Sequence, residues 1–312
     1  MNDKWYLVDN EPGLFIHAAR EAKGYTMEEI CRGICSISTL SRIETGERVV
    51  DYIMIEALLE RMKISKSEYE FVLDNKDYDE YMQREEIRNL VNLKKYEQVE
   101  QKLLVYEKKH GEKDLHRQFI YLQKGYLEIY KNKISKDKIK NIFHEAISIT
   151  APEYRKDVEQ NEILSNTELC CIIEMIELID ESINREKKLK EMYEYFKWCR
   201  KKEKMYPIPY RIAMKYYANC LYENGKYEKC INICNNVLNE LYNTSKLENR
   251  HDIFELRAKA RESIGFNNEE EKKQCLRDYL TAYYVAEFYD GQYEVLNMKK
   301  YIEEAFGWQF IE

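Results

Sequence analysis

Residues that break regular secondary structure are scarce in this sequence of 312 residues, which contains 10 glycines and 4 prolines. A protein made of many short β-strands needs frequent turns, and glycine and proline supply most of them. Their scarcity therefore argues against an all-β protein and favours helices. The length by itself is typical of about two domains of roughly 150 residues each.

The sequence also lacks an apolar run close to the roughly 20 residues needed to cross a bilayer. Its first five residues, Met1 to Trp5, do not show the basic-then-apolar pattern of a secretory signal. We therefore expect a cytoplasmic protein without membrane contact. The composition, 34% charged and 13% aromatic, is typical of a folded, water-exposed chain rather than a disordered one.

Patterns that indicate catalysis or a metal site are also missing. The nine cysteines include two pairs spaced four apart, Cys31/Cys35 and Cys230/Cys234, but no histidine or further cysteine close in sequence completes a ligand set. None of the five histidines has a neighbouring serine or cysteine at the spacing of a nucleophile. No glycine-rich phosphate loop is present. The sequence predicts no enzyme, no cofactor and no metal, although a Cys–His pair formed only in space stays open.

An excess of positive charge is missing as well, since the net charge is -7. Residues 1–75 carry 9 basic and 14 acidic residues, a balance of -5, and the remainder carries a balance of -2. Any nucleic-acid contact must therefore come from a local patch rather than from the charge of a whole domain. Few phosphate contacts and a weak salt dependence are expected.

Five short helices are predicted within the first 75 residues. The first begins at Glu11-Pro12, because proline is tolerated in the first turn of a helix, and ends at Lys23-Gly24. Thr26 and Glu29 fit a capping box, in which the hydroxyl accepts from the backbone N–H of Glu29 and the carboxylate reaches back. The second helix is very short and stops near Gly33.

The third helix is the element on which the functional interpretation depends. Ser36 is its predicted N-cap, and Thr45-Gly46 ends it. A fourth helix is predicted over about residues 51–62, and the caps at 65–68 begin a fifth.

From about residue 76 onward, amphipathic helices come in pairs joined by short polar turns. In the clearest pair, residues 212–241, apolar side chains recur three and four residues apart, the period of one helix face. Similar pairs occur at 256–284 and 91–106. A period of about 34–40 residues is typical of helix-pair solenoids, whose pairs must stack to bury their apolar faces. The sequence therefore predicts an all-α protein.

Two known motifs resemble these segments. Residues 14–61, with AREAKGYTMEEI at 19–30 and SISTLSRIETG at 36–46, resemble the lambda-repressor-like (Xre-type) helix-turn-helix. Residues 212–230 resemble a tetratricopeptide repeat. Together with the C-terminal segment 279–308, they make the chain resemble the Rgg/PlcR-like (RRNPP-type) peptide-responsive transcription regulators.

This resemblance implies an architecture and a function. It implies a five-helix DNA-binding domain over residues 1–73, followed over 76–312 by an α-solenoid of tetratricopeptide-like repeats with C-terminal capping helices. It further implies a cytoplasmic quorum sensor, a homodimer that binds a near-palindromic double-stranded DNA operator. The repeat domain of such a regulator binds a small signalling peptide, which alters DNA binding.

The resemblance also implies which residues contact DNA, because the third helix of this motif enters the major groove. Arg42 can pair with guanine through two hydrogen bonds, and Ile37 can contact a thymine methyl. Arg20 and Glu44 match positions that form an ion pair between helices, and His17 stands where a basic Arg or Lys is common. The predicted DNA-contacting residues are Thr26, Ser36, Ile37, Ser38, Thr39, Arg42 and Arg48, of which Thr26 and Arg48 are phosphate candidates.

For the peptide, the resemblance places the first helix of each pair on the concave face. Asn219 carries both donor and acceptor groups and can bridge the backbone of an extended peptide. A looser alignment adds an acidic wall from Asp252, Glu255 and Glu262, which would favour a basic group or free amine on the peptide. The predicted peptide-binding residues are Ile212, Lys215, Asn219, Tyr222, Glu255 and Lys259.

Two alternatives remain open at this point. The repeats can instead form a protein-interaction scaffold or adaptor, with a helix-turn-helix that no longer reads DNA. In a third interpretation the protein binds DNA but no ligand, and the repeats serve only for dimerisation.

Overall fold

The computed structural model describes residues 12–64, 75–152, 163–202, 209–244, 251–288 and 292–310. Within these ranges the chain forms fifteen helices and no strand, so the predicted all-α class is confirmed. None of these helices combines the length and apolar character that crossing a bilayer requires. The helices are α1 (Pro12–Lys23), α2 (Met27–Cys31), α3 (Ile37–Glu44), α4 (Tyr52–Arg61), α5 (Asn75–Asn92), α6 (Tyr96–His110), α7 (Asp114–Lys131), α8 (Lys136–Ser148), α9 (Asn166–Glu177), α10 (Ser182–Lys202), α11 (Pro209–Glu223), α12 (Tyr227–Thr244), α13 (His251–Ile264), α14 (Glu269–Phe288) and α15 (Gln292–Phe306).

The chain divides into two compact units. The first comprises Met1–Leu178 with Tyr195–Pro209, and the second comprises Ile179–Glu194 with Tyr210–Glu312. In the first unit α4 packs on α5, α7 and α9, so the N-terminal helices and the first repeats form one body. The boundary expected between residues 73 and 76, which would separate a DNA-binding domain from the repeats, stays a prediction.

The starts of the N-terminal helices follow the predicted caps. Thr26 and Glu29 form the complete capping box of α2, and the side chain of Ser36 accepts from the backbone N–H of Thr39 at the start of α3. Asp51 caps α4 in the same way. The predicted second, third and fourth helices are thus confirmed, whereas the fifth cap, at 65–68, lies outside the described residues.

One apolar core holds α1 to α4 together, with Ile16, Ile30, Leu40 and Leu58 fully buried in it. The first and third helices lie in direct contact at Gly13, because a Cβ there would stand 1.9 Å from the carbonyl oxygen of Ile43. Any side chain at this position would push α3 out of place.

The helices α5 to α9 pack each on the next in chain order, as stacked helix pairs do. The predicted pair at 91–106 corresponds to the end of α5 and to α6, and its apolar residues Val99, Leu103 and Tyr106 are buried. Ser165 begins α9 with a capping box completed by Glu168. Asn166 beside it is therefore part of a helix start.

A buried polar network joins α4 to α8 and α9. Arg61 donates to Glu168 Oε1 over 2.6 Å, and both side chains are buried. Arg61 also donates to the carbonyl oxygen of Thr150 over 3.2 Å, while the Thr150 hydroxyl donates to Glu168 over 2.6 Å. Burial by itself would raise the pKa of Glu168, but Arg61 and the hydroxyl outweigh it and lower that pKa. The carboxylate is therefore ionised within the protein interior.

The second unit contains the clearest predicted repeats. The pair at 212–241 corresponds to α11 and α12, and that at 256–284 to α13 and α14. Gly225 makes the turn between α11 and α12 with a φ of 70°, a left-handed conformation that glycine adopts without strain. Arg257 links three consecutive helices, because it donates to Asn235 on α12 over 2.7 Å and to both carboxylate oxygens of Asp278 on α14.

Candidate functional site

The outer face of α3 is open to solvent, whereas its inner face is buried. Ile37 is 50% exposed and the Arg42 side chain 57%. Leu40 and Ile43, on the opposite face, are buried. The N-terminal end and outer face of α3 are therefore accessible to solvent, as contact with a DNA groove requires.

Three of the predicted contact residues form a hydrogen-bonded cluster at that end. The Ser36 hydroxyl caps the helix at the N–H of Thr39 and donates to the Thr39 hydroxyl, both over 3.0 Å. Arg48 Nη1 donates to the same Thr39 oxygen over 3.3 Å. The structure thus brings the guanidinium of Arg48 beside the start of α3.

Arg42 is held only weakly. Its Nε atom lies 3.8 Å from Glu47 Oε2, and both side chains are more than half exposed. An exposed ion pair of this kind contributes about 0–1 kcal/mol. Arg42 is therefore able to exchange Glu47 for another acceptor, such as the edge of a base.

Thr26 lies in a less favourable place for a phosphate. Its backbone N–H and its hydroxyl both donate to Glu29 Oε2, over 2.7 and 2.8 Å. The carboxylate thus occupies the N–H group at the start of α2 and places a negative charge there. A phosphate contact at Thr26 stays a prediction, and it requires Glu29 to move away.

The predicted ion pair between Arg20 and Glu44 is present and joins α1 to α3. Arg20 Nε donates to Glu44 Oε1 over 2.7 Å and Nη2 to Oε2 over 2.9 Å. His17 Nδ1 lies 2.9 Å from Glu44 Oε2, so this histidine adds a second contact to the carboxylate. Burial would raise the pKa of Glu44, but the hydrogen bonds from Arg20 and His17 lower it overall. The pair therefore fixes the end of α3 against α1.

The predicted peptide-binding residues lie on neighbouring helices, α11 and α13. Lys215 on α11 forms an ion pair with Asp252 on α13, 37 residues later. In the last turn of α11, the Tyr222 hydroxyl accepts from the hydroxyl of Ser263, 41 residues later, over 3.4 Å. These two contacts define a shared surface of α11 and α13, which we call the α11/α13 surface. The candidate residues Ile212, Lys215, Asn219, Tyr222, Glu255 and Lys259 all retain solvent exposure on these helices.

Asn219 lies between these two contacts and is half-buried. It donates from Nδ2 to Glu223 Oε1 over 3.1 Å. Because an amide side chain has two donor hydrogens and an acceptor oxygen, this bond leaves it capacity for a peptide backbone.

The carboxylates of the expected acidic wall have partners in the structure. Asp252 contacts Lys215 and His251, and Glu255 pairs with Lys259 over 2.6 Å. Glu262 accepts from two tyrosine hydroxyls, those of Tyr279 on α14 and Tyr301 on α15. The negative charge that an incoming amine would meet is therefore smaller than the sequence alone suggests.

One residue of the α11/α13 surface was not among the sequence predictions. Ser263 lies exposed beside Tyr222, 41 residues later in the chain. Lys215 and Asp252 are 37 residues apart, within the predicted period of about 34–40 residues. The spacing from Tyr222 to Ser263 exceeds that period by one residue, so the period alone does not identify Ser263.

Comparisons with known proteins agree with this architecture. A sequence model of the helix-turn-helix family matches residues 16–69. The structure is similar to that of PlcR from Bacillus thuringiensis, which was crystallised in complex with the peptide PapR7 and DNA: the TM-score is 0.57 at 15% identity, over 95% of this chain and 99% of that one.

Weaker structural matches also extend over nearly the whole chain. The SHP pheromone receptor Rgg2 of Streptococcus dysgalactiae gives a TM-score of 0.43 at 13% identity, covering 93% of this chain and 98% of that one. The competence regulator ComR of Streptococcus vestibularis gives 0.45 at 16% identity, covering 97% and 100%. No curated protein has a sequence that matches this one. The N-terminal region is thus a helix-turn-helix domain, and 95% of the chain shares the fold of PlcR.

Proposed function

We propose that this chain is a DNA-binding transcription regulator whose repeat region binds a small signalling peptide and thereby changes the DNA binding of a homodimer. The observation that carries the proposal is the open outer face of α3 within a helix-turn-helix domain. The PlcR structure that shares its fold along the chain holds both a peptide and DNA. A regulator of this kind acts in the cytoplasm.

In the proposed complex α3 enters the major groove with its N-terminal end first. Ile37 contacts a thymine methyl, Ser38 donates to or accepts from a base edge, and Arg42 leaves Glu47 to pair with guanine. Arg48, held beside Thr39, contacts a phosphate. A symmetric dimer then recognises a near-palindromic operator with half-sites about one helical turn apart.

The peptide binds on the α11/α13 surface. Asn219 holds the peptide backbone, Tyr222 supplies an apolar face with a polar tip, and Lys215 releases Asp252 to bind a carboxylate. The peptide changes the distance between the two DNA-binding domains by preferring one dimer geometry over another, since a ligand with equal affinity for both would shift nothing.

The DNA part of the proposal is tested with Arg42→Ala. We expect fluorescence anisotropy with fragments of the gene's own upstream region to show a loss of base discrimination, equivalent to about 1–3 kcal/mol at one position of each half-site. Arg117→Ala is the matched control, because Arg117 is an exposed arginine on α7 that pairs only locally with Asp114. Equal base preference in both variants would contradict a reading role for Arg42.

The peptide part is tested with synthetic peptides encoded by short open reading frames beside the gene. We expect one of them to change the affinity of the protein for its DNA, and Asn219→Ala to abolish that change. Asn232→Ala, at an exposed position of α12, should keep it. Identical DNA affinity with every peptide would contradict regulation by a neighbouring peptide.

One observation favours the scaffold alternative. The carboxylate of Glu29 covers the start of α2, where a phosphate contact was expected. If the helix-turn-helix domain docks a protein instead, Glu29→Gln leaves DNA affinity unchanged. If the domain binds DNA, the same substitution removes a repulsive charge and raises the affinity.

A further inference from the structure

A second cluster of polar side chains lies within the first unit, where α5, α6 and α7 meet the start of α4. Glu80, His110 and His116 each offer a ligand atom, and these atoms all lie within 4.8 Å of one another. The three residues are 3%, 4% and 1% exposed, respectively. They play no part in the DNA-reading helix or the α11/α13 surface.

The distances within this cluster are too long for good hydrogen bonds. His116 Nε2 lies 3.7 Å from Glu80 Oε2 and 3.9 Å from Asp51 Oδ2, and His110 Nδ1 lies 3.5 Å from Glu80 Oε1. Two ligand atoms bound to one zinc ion at about 2.1 Å in tetrahedral geometry are separated by about 3.4 Å. The observed gaps are therefore close to those that an ion between the groups would leave.

One nitrogen atom in particular is available for such an ion. Nε2 of His116, which faces both carboxylates, is buried and has no hydrogen-bond partner among the described residues, while His110 turns Nδ1 toward Glu80. A buried polar atom without a partner is destabilising and calls for an explanation. Nδ1 of His116 lies 2.5 Å from the Tyr106 hydroxyl. If Nδ1 donates its hydrogen to that oxygen, the lone pair of Nε2 faces the two carboxylates, as in metal-binding histidines held by an outer hydrogen bond.

The charges around the cluster are compatible with a cation. Arg84 pairs with Glu56 over 3.2 Å, which offsets its charge. Lys113 lies 3.5 Å from Asp51, but its side chain is half exposed and can turn into solvent.

We propose that Glu80, His110 and His116 bind one zinc ion, and that Asp51, whose Oδ2 lies 3.9 Å from His116 Nε2, turns toward the ion as the fourth ligand. Imidazole and carboxylate groups suit zinc, which is bound tetrahedrally by four such ligands in structural sites. Asp51 is also the N-cap of α4, where its side chain accepts from the N–H of Met54. The ion therefore ties the last described helix of the helix-turn-helix region to the first repeat helices and stabilises the first unit.

The test uses the full-length protein after treatment with a chelator. Isothermal titration with Zn²⁺ should give one site per chain, and the melting temperature should rise on zinc addition. His116→Ala should abolish both effects. His144→Ala is the matched control, because His144 is an exposed histidine on α8 that contacts Ser148, and it should behave as the wild type.

A second variant covers the case in which His116→Ala does not fold. Asp51→Asn keeps the helix cap, since asparagine caps as well as aspartate does, but it removes the charged ligand. We expect it to weaken zinc binding about tenfold or more, without loss of helical circular dichroism.

Cobalt distinguishes this site from the nine cysteines. Co²⁺ bound by nitrogen and oxygen gives visible bands without a thiolate-to-cobalt charge-transfer band. Absence of a zinc site, undiminished binding in Asp51→Asn and His116→Ala, or a thiolate band would each overturn the proposal.

Discussion

Charged groups are used differently in two regions of this molecule. Where α4 meets α9, Arg61 and Glu168 are sealed from solvent and share a network with Thr150. On the α11/α13 surface, Lys215–Asp252 and Lys259–Glu255 remain accessible to water. A buried pair resists exchange because each charge would be left without a partner. In an accessible pair, either side chain can exchange its partner for water or a ligand. The buried pair is therefore suited to holding α4 against α9, and the accessible pairs are suited to binding a ligand.

The largest effect expected from this comparison concerns Arg61→Met. This variant leaves the Glu168 carboxyl group in the interior without its guanidinium partner, which should lower the free energy of unfolding by about 3–5 kcal/mol. Urea denaturation measures this change in the free energy of unfolding. The double variant Arg61→Met/Glu168→Leu should recover much of the loss, because it removes both charges. A double variant less stable than Arg61→Met would show that the buried charge is not the cause.

A smaller effect is expected at Glu44, where the pair with Arg20 joins α1 to α3. Glu44→Gln removes charge-assisted hydrogen bonds and should cost about 1.5–3 kcal/mol near neutral pH. The folded-state pKa of Glu44 is lowered, so its contribution is present above the unfolded-state pKa and is lost as the pH falls through the folded-state pKa.

The unfolding free energies of wild type and Glu44→Gln should therefore converge as the pH is lowered from about 6 to about 3. Denaturant titrations across this range check the prediction. A difference that grows on acidification would mean that the sign of the shift is wrong.

The smallest effect on stability is expected on the α11/α13 surface. Lys259→Ala breaks a pair between an exposed lysine and a half-buried glutamate on one helix, and should change the free energy of unfolding by less than about 1 kcal/mol. Thermal unfolding measures this change. A loss as large as that of Arg61→Met would show that the two regions do not differ in the way described.

Local signals account for what the sequence predicted correctly. The caps at Thr26 and Ser36 and the end of α3 all depend on residues within one or two helical turns of each other. The side chain that caps a helix and the N–H group that it accepts from are neighbours in sequence, so the pattern is visible without the fold.

Contacts between distant segments could not be predicted in this way. Arg61 and Glu168 are 107 residues apart, and no repeat period relates them. Glu168 forms a capping box with Ser165, but that local motif does not show that Glu168 also binds Arg61. The same holds for Glu80 and the two histidines on α6 and α7, since the expectation of no metal site rested on ligands close in sequence.

His17 shows an intermediate case. The resemblance marked it as a departure from the usual basic residue, and the structure places its Nδ1 against Glu44. A shorter, partly exposed side chain thus contacts the same carboxylate that Arg20 holds.

The most direct test of the account is a footprint of the full-length protein on the DNA upstream of its own gene. If the open face of α3 reads DNA in a symmetric dimer, the protein protects two related half-sites about one helical turn apart, and Arg42→Ala loses this pattern. Uniform protection along the fragment, or none at any protein concentration that keeps the chain folded, would contradict the account.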